Sequence, residues 1–165
     1  MILVDTNVIL DVVENDPVWA DWSQQQLETA SLQTTLCINP VIYAELSIAF
    51  DKIEDLETVL KKGEFRLEPI PPEALFLAGK AFVKYRKHKG TKAGVLPDFF
   101  IGAHAAIAEL PLLTRDTRRY ASYFPTIQLI APSRAKQSLR RATTARVMQS
   151  RRAVSGECWI DWTPL

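Results

Sequence analysis

The chain has 165 residues, of which 47% are hydrophobic and 24% charged, enough for one domain with a real core plus an appendage. Its longest apolar runs fall far short of a membrane span, and the N-terminus lacks a charged segment leading into a hydrophobic run and cleavage site, so neither insertion nor secretion is expected and the cytoplasm is the default. The formal charge of +1 conceals net −4 over residues 1–132 and net +5 over residues 133–165, so any role with a polyanion needs local basic patches or a metal, not a global positive field.

The first element is a short apolar strand, Met1-Ile2-Leu3-Val4, followed by Asp5-Thr6-Asn7, whose short polar side chains suit a helix N-cap, and a helical run through Val13. A second helix fits residues 17–31 with Pro17 in its first turn, before Leu36-Cys37-Ile38 gives a second buried strand ending at Asn39-Pro40. Cys37 is core filler, and it and Cys158 are expected as free thiols. Glu45 lies about one turn into the next helix. Another helix over roughly residues 51–62 ends at Gly63 as a C-cap, so the two form a helical hairpin. Residues 66–70 give a third strand, and Pro71-Pro72-Glu73 starts a long helix running to about His88.

That helix leads into a basic loop, where Lys84, Arg86, Lys87, Lys89 and Lys92 surround Gly90 and Gly94. The cluster is read equally as an RNA contact and as a solvated helix end favoured by the dipole. Leu96-Pro97-Asp98 then opens a small-residue helix over residues 98–109. On it His104 lies away from the Asp98 face, which favours core or interface packing over catalysis, and neither His104 nor His88 has zinc-ligand company. Residues 112–114 and 127–130 are the fourth and fifth strands, with short helical turns between. The alternation implies an α/β fold of three layers, with a mostly parallel sheet of about five strands covered on both faces. The domain boundary is placed near residue 132. The basic extension beyond it reads first as disordered or without a role, then as a subunit-docking segment through Trp159, Ile160 and Trp162, then as an RNA contact.

Four carboxylates stand out. Asp5 and Asp116 follow buried strands, at the carboxyl ends where open α/β sheets put their ligands, and Glu45 and Asp98 sit near helix starts. If they converge, their repulsion needs a divalent cation, and oxygen-only ligands select a hard ion such as Mg2+ or Mn2+. That set points to phosphodiester hydrolysis, in which a metal neutralises the phosphate and lowers the proton affinity of water. Asp5 and Asp98 are assigned direct coordination, Asp116 a shared or second-site role, and Glu45 the orientation of the attacking water or an outer-sphere contact. Asn7 and Thr114 supply neutral oxygens or fix the carboxylates. Arg115 and Arg118, beside Asp116, are read as phosphate contacts ahead of surface ion pairs.

Asp5-Thr6-Asn7 after a strand, Tyr43-Ala44-Glu45, Leu96-Pro97-Asp98-Phe99 with Gly102-Ala103-His104-Ala105, and Leu113-Thr114-Arg115-Asp116 together resemble the PIN-domain ribonucleases. Over residues 1–131 the chain is most similar to the VapC branch, the toxins of type II toxin–antitoxin systems. The resemblance implies that Asp5, Glu45, Asp98 and Asp116 are the family's acidic quartet, with Asp5 and Asp98 as Mg2+ ligands and Thr114 as the accompanying hydroxyl. It also implies cleavage of structured RNA, homodimerisation, and a cognate antitoxin that inserts a segment into the site. Two other readings compete. A phosphatase of the haloacid-dehalogenase type needs a second Asp two residues after the first, where Asn7 stands. A non-catalytic RNA- or protein-binding module has no need of a complete quartet.

Overall fold

A computed structural model describes residues 1–87 and 96–133. The chain divides into two units, Met1–Ala131 and Pro132–Leu165. In the first, β1 (Ile2–Val4) leads into α1 (Thr6–Val13) and α2 (Ala20–Ser31), then β2 (Leu36–Ile38), α3 (Pro40–Ser47), α4 (Ile53–Lys62) and β3 (Arg66–Leu67). The chain continues through α5 (Pro72–Lys87), α6 (Leu96–Ile107), β4 (Leu112–Leu113), α7 (Thr117–Tyr123) and β5 (Leu129–Ile130).

All strand pairings are parallel, in the order β3-β2-β1-β4-β5. Every residue of β1 and β2 is buried. Because successive strand residues point to opposite faces, burial of the whole strand requires cover on both, which is the expected three-layer arrangement. The chain runs outward from β1 through β2 to β3, then crosses to the other side of β1 to add β4 and β5. The carboxyl ends of β1 and β4 therefore flank the switch point of the sheet, where a crevice opens. Asp5 leaves β1 there, and Thr114 leaves β4 beside it. Among the described residues, no helix is long and apolar enough to cross a membrane.

Several boundaries differ from the sequence expectation, each for a local reason. The second helix begins at Ala20, after Pro17, because Asp16 Oδ1 accepts from the amides of Val18 and Trp19 at 2.8 and 2.9 Å and holds a turn there. β3 stops after two residues, not five. Glu68 adds one more bond to Ile38 O at 2.8 Å, after which Pro69 has no amide to continue the ladder. Gly63 does close α4, but at φ −83, and the left-handed residue is Glu64 at φ 52. What requires glycine at 63 is proximity, since a Cβ there would stand 2.4 Å from the Phe65 ring.

The core around α6 is aromatic. Phe99, 1% exposed, packs edge-on against Phe82, Tyr123 and Phe124, with centroids 5.2–6.1 Å apart. Its burial contributes about 2–3 kcal/mol and joins α5, α6 and α7 on the side that carries Asp98.

Candidate active site

A cleft of about 520 Å3 opens at the switch point, and Asp5, Asn7, Asp11, Glu45, Asp98 and Arg115 are among the residues that line it. Glu14 and Asp16 complete a lining of six carboxylates against one cationic side chain, which creates a strongly negative potential.

Asp5 is the fixed point. It is the N-cap of α1 yet makes no side-chain capping bond, because its carboxylate is committed elsewhere. Oδ2 accepts from Thr114 Oγ1 at 2.6 Å, from Asn7 Nδ2 at 2.5 Å and from Tyr120 OH at 3.3 Å. Among the described residues no hydrogen bond falls on Oδ1. Burial, and next the nearby Glu45 charge, push the Asp5 carboxyl up to about 6, while the bonds from Thr114, Asn7 and Tyr120 pull the other way. Asn7 is held in turn, its Oδ1 accepting from the amide of Arg115 at 3.0 Å and its Nδ2 reaching Thr114 Oγ1 at 3.2 Å. Burial and the same carboxylates raise the Tyr120 phenol well above its ordinary value, so it stays a neutral donor to Asp5.

Glu45 and Asp98 reach the cleft from separate helices. Asn39, fully buried, caps α3 by accepting from the amides of Val41 and Ile42, both at 3.0 Å, and that helix then presents Glu45, whose Oε2 accepts from Thr6 Oγ1 at 2.5 Å. Asp98 lies in the first turn of α6, where the helix dipole favours its charge. Its Oδ2 is paired with Arg119 Nη1. His104, further along α6, is 3% exposed and 3.3 Å from Asn39 Nδ2 through Nδ1. Asn39 Nδ2 can only donate, so Nδ1 is the acceptor and the imidazole is neutral, in keeping with the downward pressure of burial on its basicity. His104 is a packing residue, and it ties the helix of Asp98 to the cap of the helix of Glu45.

The cleft thus joins Asp5, Asn7, Glu45 and Asp98, with Thr114 behind Asp5. Asp116 lies outside its lining. It is exposed, its carboxylate caps α7 by accepting from the amide of Arg118 at 3.1 Å, and its own amide donates to Thr114 Oγ1 at 3.1 Å. Arg115 lines the cleft but is drawn to Asp11, Nη1 to Oδ1 at 3.0 Å, in a pair that also holds Ser23 Oγ at 2.6 Å and stacks over Trp19. Arg118, Lys84, Arg86 and Lys87 are exposed. Lys89, Lys92 and His88 lie outside the described residues, as do Cys158 and the final tryptophans.

Four contributors were not singled out from sequence: Thr6, Asp11, Arg119 and Tyr120. The last two lie on α7, and which carboxylates they reach is set by how that helix packs, a relation the chain order does not display.

The donor set suits a hard cation. The cleft's carboxylates offer only oxygens, Asp5 Oδ1 accepts no hydrogen bond from the described residues, and at Asp98 a guanidinium already stands where positive charge is wanted. Among the described residues no three His, Cys, Asp or Glu side chains sit close enough to enclose an ion. The arrangement fits a largely hydrated ion held by one or two carboxylates, as Mg2+ prefers, not a dehydrated cage.

A parallel α/β unit with an acidic crevice at the carboxyl ends of its central strands is the class that fold and site define. The PIN domain family model matches residues 2–123, and the chain belongs to that family. No curated protein sequence matches it significantly. Among solved structures, VapBC2 from Rickettsia felis bound to a promoter DNA fragment aligns with a TM-score of 0.63 at 19% identity, covering 81% of this chain and 100% of that one. A toxin–antitoxin complex from Klebsiella pneumoniae aligns at 0.56 with 23% identity, covering 81% and 98%. FitAcB from Neisseria gonorrhoeae gives 0.59 at 21% identity, covering 79% and 96%. At these identities the likeness shows a shared fold.

Proposed function

We propose that the chain is a divalent-cation-dependent endoribonuclease acting on structured RNA as the toxin of a toxin–antitoxin pair. The observation that carries the reading is the buried Asp5 carboxylate, braced on one oxygen by Thr114, Asn7 and Tyr120 and bare on the other, in a cleft shared with Glu45 and Asp98. Membership of the PIN family and the fold shared with VapBC2, FitAcB and the Klebsiella pneumoniae toxin–antitoxin complex support the toxin reading and an antitoxin partner. The acidic cleft supports one too, since it would receive a cationic segment.

A bound Mg2+ or Mn2+ would supply charge neutralisation at the phosphate and acidify water. Asp5 Oδ1 and the Asp98 carboxylate would hold it. Asp5 is preorganised for this because its bracing bonds fix its rotamer before any ion arrives. Glu45 Oε2 is occupied by Thr6, which leaves Oε1 to orient the attacking water and take its proton. Thr114 and Asn7 hold Asp5 and link it to the start of α7, so they act by position. Asp116 contributes from outside the cleft, by capping α7 and as a peripheral carboxylate for a second ion. Basic residues Lys84, Arg86, Lys87, Lys89, Lys92 and Arg118 draw the RNA backbone toward an otherwise repulsive cleft, while Arg115, expected from sequence to join them, is held in its pair with Asp11. The chain acts as a homodimer in the cytoplasm.

The test is incubation of purified protein with total bacterial RNA. Discrete fragments with Mg2+, their disappearance with EDTA, and a loss of at least a hundredfold in Asp5→Asn are expected. Cleavage that survives EDTA and Asp5→Asn would overturn the reading, and absence of cleavage with a panel of structured RNAs favours the non-catalytic module.

A further inference from the structure

Adjacent residues of α7 reach two different carboxylates of the cleft. Tyr120 donates a neutral hydroxyl to Asp5 at 3.3 Å, whereas Arg119 places a full positive charge on Asp98. The two guanidiniums near this crevice are held differently. Arg115 is paired with Asp11, whose side chain is only 2% exposed, and such a buried pair is costly to break by removal of one partner. Arg119 and Asp98 keep 31% and 28% of their side-chain surface in water, so their pair is screened and weak enough to exchange. Arg119 is not part of the cleft lining, but through Asp98 Oδ2 it sets a removable cation from the outset on one of the six carboxylates that are.

We propose that Arg119 is a resident counter-cation for Asp98. It occupies the carboxylate when no divalent ion is bound, must leave Oδ2 for the ion to enter, and so lowers the ion's affinity while keeping Asp98 in position. Arg119 is a positioning residue in this scheme, acting through Asp98. The inference rests on the proposed metal-dependent function, and binding of Mn2+ alone, without RNA, separates the two.

The experiment titrates Mn2+ into purified full-length protein and follows free Mn2+ by electron paramagnetic resonance, for wild type, Arg119→Gln, Arg119→Lys, Arg118→Gln and Asp5→Asn. Arg118→Gln removes the same formal charge one residue away, from a side chain that makes no ion pair with Asp98, and so reports the general field. Competition predicts that Arg119→Gln binds Mn2+ roughly two- to fivefold more tightly than wild type, the range a solvent-exposed pair spans. Arg119→Lys, which keeps the charge without the guanidinium fork, should fall between, and Arg118→Gln should change little. Equal tightening in Arg118→Gln and Arg119→Gln, or no tightening in Arg119→Gln while Asp5→Asn loses binding, overturns the counter-cation and leaves the metal site standing. Indistinguishable, weak binding by all five proteins, Asp5→Asn included, overturns both.

Discussion

At neutral pH Asp5 is an ionised carboxylate inside a protein, and its surroundings only partly compensate it. Its proton affinity is raised from the ordinary 3.8 to about 6, chiefly by burial. Between those values the folded chain binds the proton more tightly than the unfolded chain, so stability falls as pH rises through this window, and the penalty is absent below about pH 4 and complete above about 6. Its full size is roughly 3 kcal/mol. Asp5→Asn should therefore stabilise the metal-free protein by on the order of 1–3 kcal/mol at pH 7.5 and by roughly a third as much at pH 4.5, read from urea denaturation in EDTA. A variant that is less stable than wild type at both pH values would contradict the assignment. The same logic explains the cleft, where a carboxylate that destabilises the empty fold is one that an ion stabilises on arrival. Asp5 was legible from sequence because it follows a buried run directly. Tyr120 and Arg119 were not, because what they touch depends on how α7 lies against β1 and α6, not on their neighbours in the chain.

At the scale of elements, the site depends on α6 and α7 approaching closely. Gly102 permits this. A Cβ there would meet the Phe124 ring at 2.4 and 2.5 Å and Tyr120 Cδ1 at 3.1 Å, and neither aromatic has room to withdraw from a filled core. Gly102→Ala should cost about 1–3 kcal/mol and displace Tyr120 and Arg119 together. Gly79→Ala is the matched comparison, since nothing lies within 4 Å of its Cβ. There alanine should be neutral or stabilising by up to about 1 kcal/mol. Thermal unfolding of both variants decides this, and equal effects would show that α6 and α7 are not packed as described. The run of small residues around Gly102 did announce a close approach in the sequence, though not which helix would come near. Strand ends were harder to read, because Pro69 truncates β3 inside a stretch expected to be strand throughout and the Asp16 side chain delays α2 past a proline that looked like its start.

At the scale of the whole molecule, the alternation of strands and helices was sufficient to give the parallel sheet, and the sheet order explains why residues as distant as Asp5 and Thr114 meet at 2.6 Å. Convergence of Asp5, Glu45 and Asp98 follows from that topology. Asp116 shows where pattern reading runs out, since a carboxylate just past a strand can turn to cap the next helix and stand beside the cleft instead of in it. The proposed function requires that this crevice cut RNA through its carboxylates. The most direct measurement is induced expression of wild type and Asp98→Ala side by side in a bacterial host, with the 5′ ends of total RNA mapped. Growth arrest with discrete new RNA ends in wild type alone is the predicted result. The same new ends and the same arrest from Asp98→Ala, expressed as soluble folded protein, would contradict it.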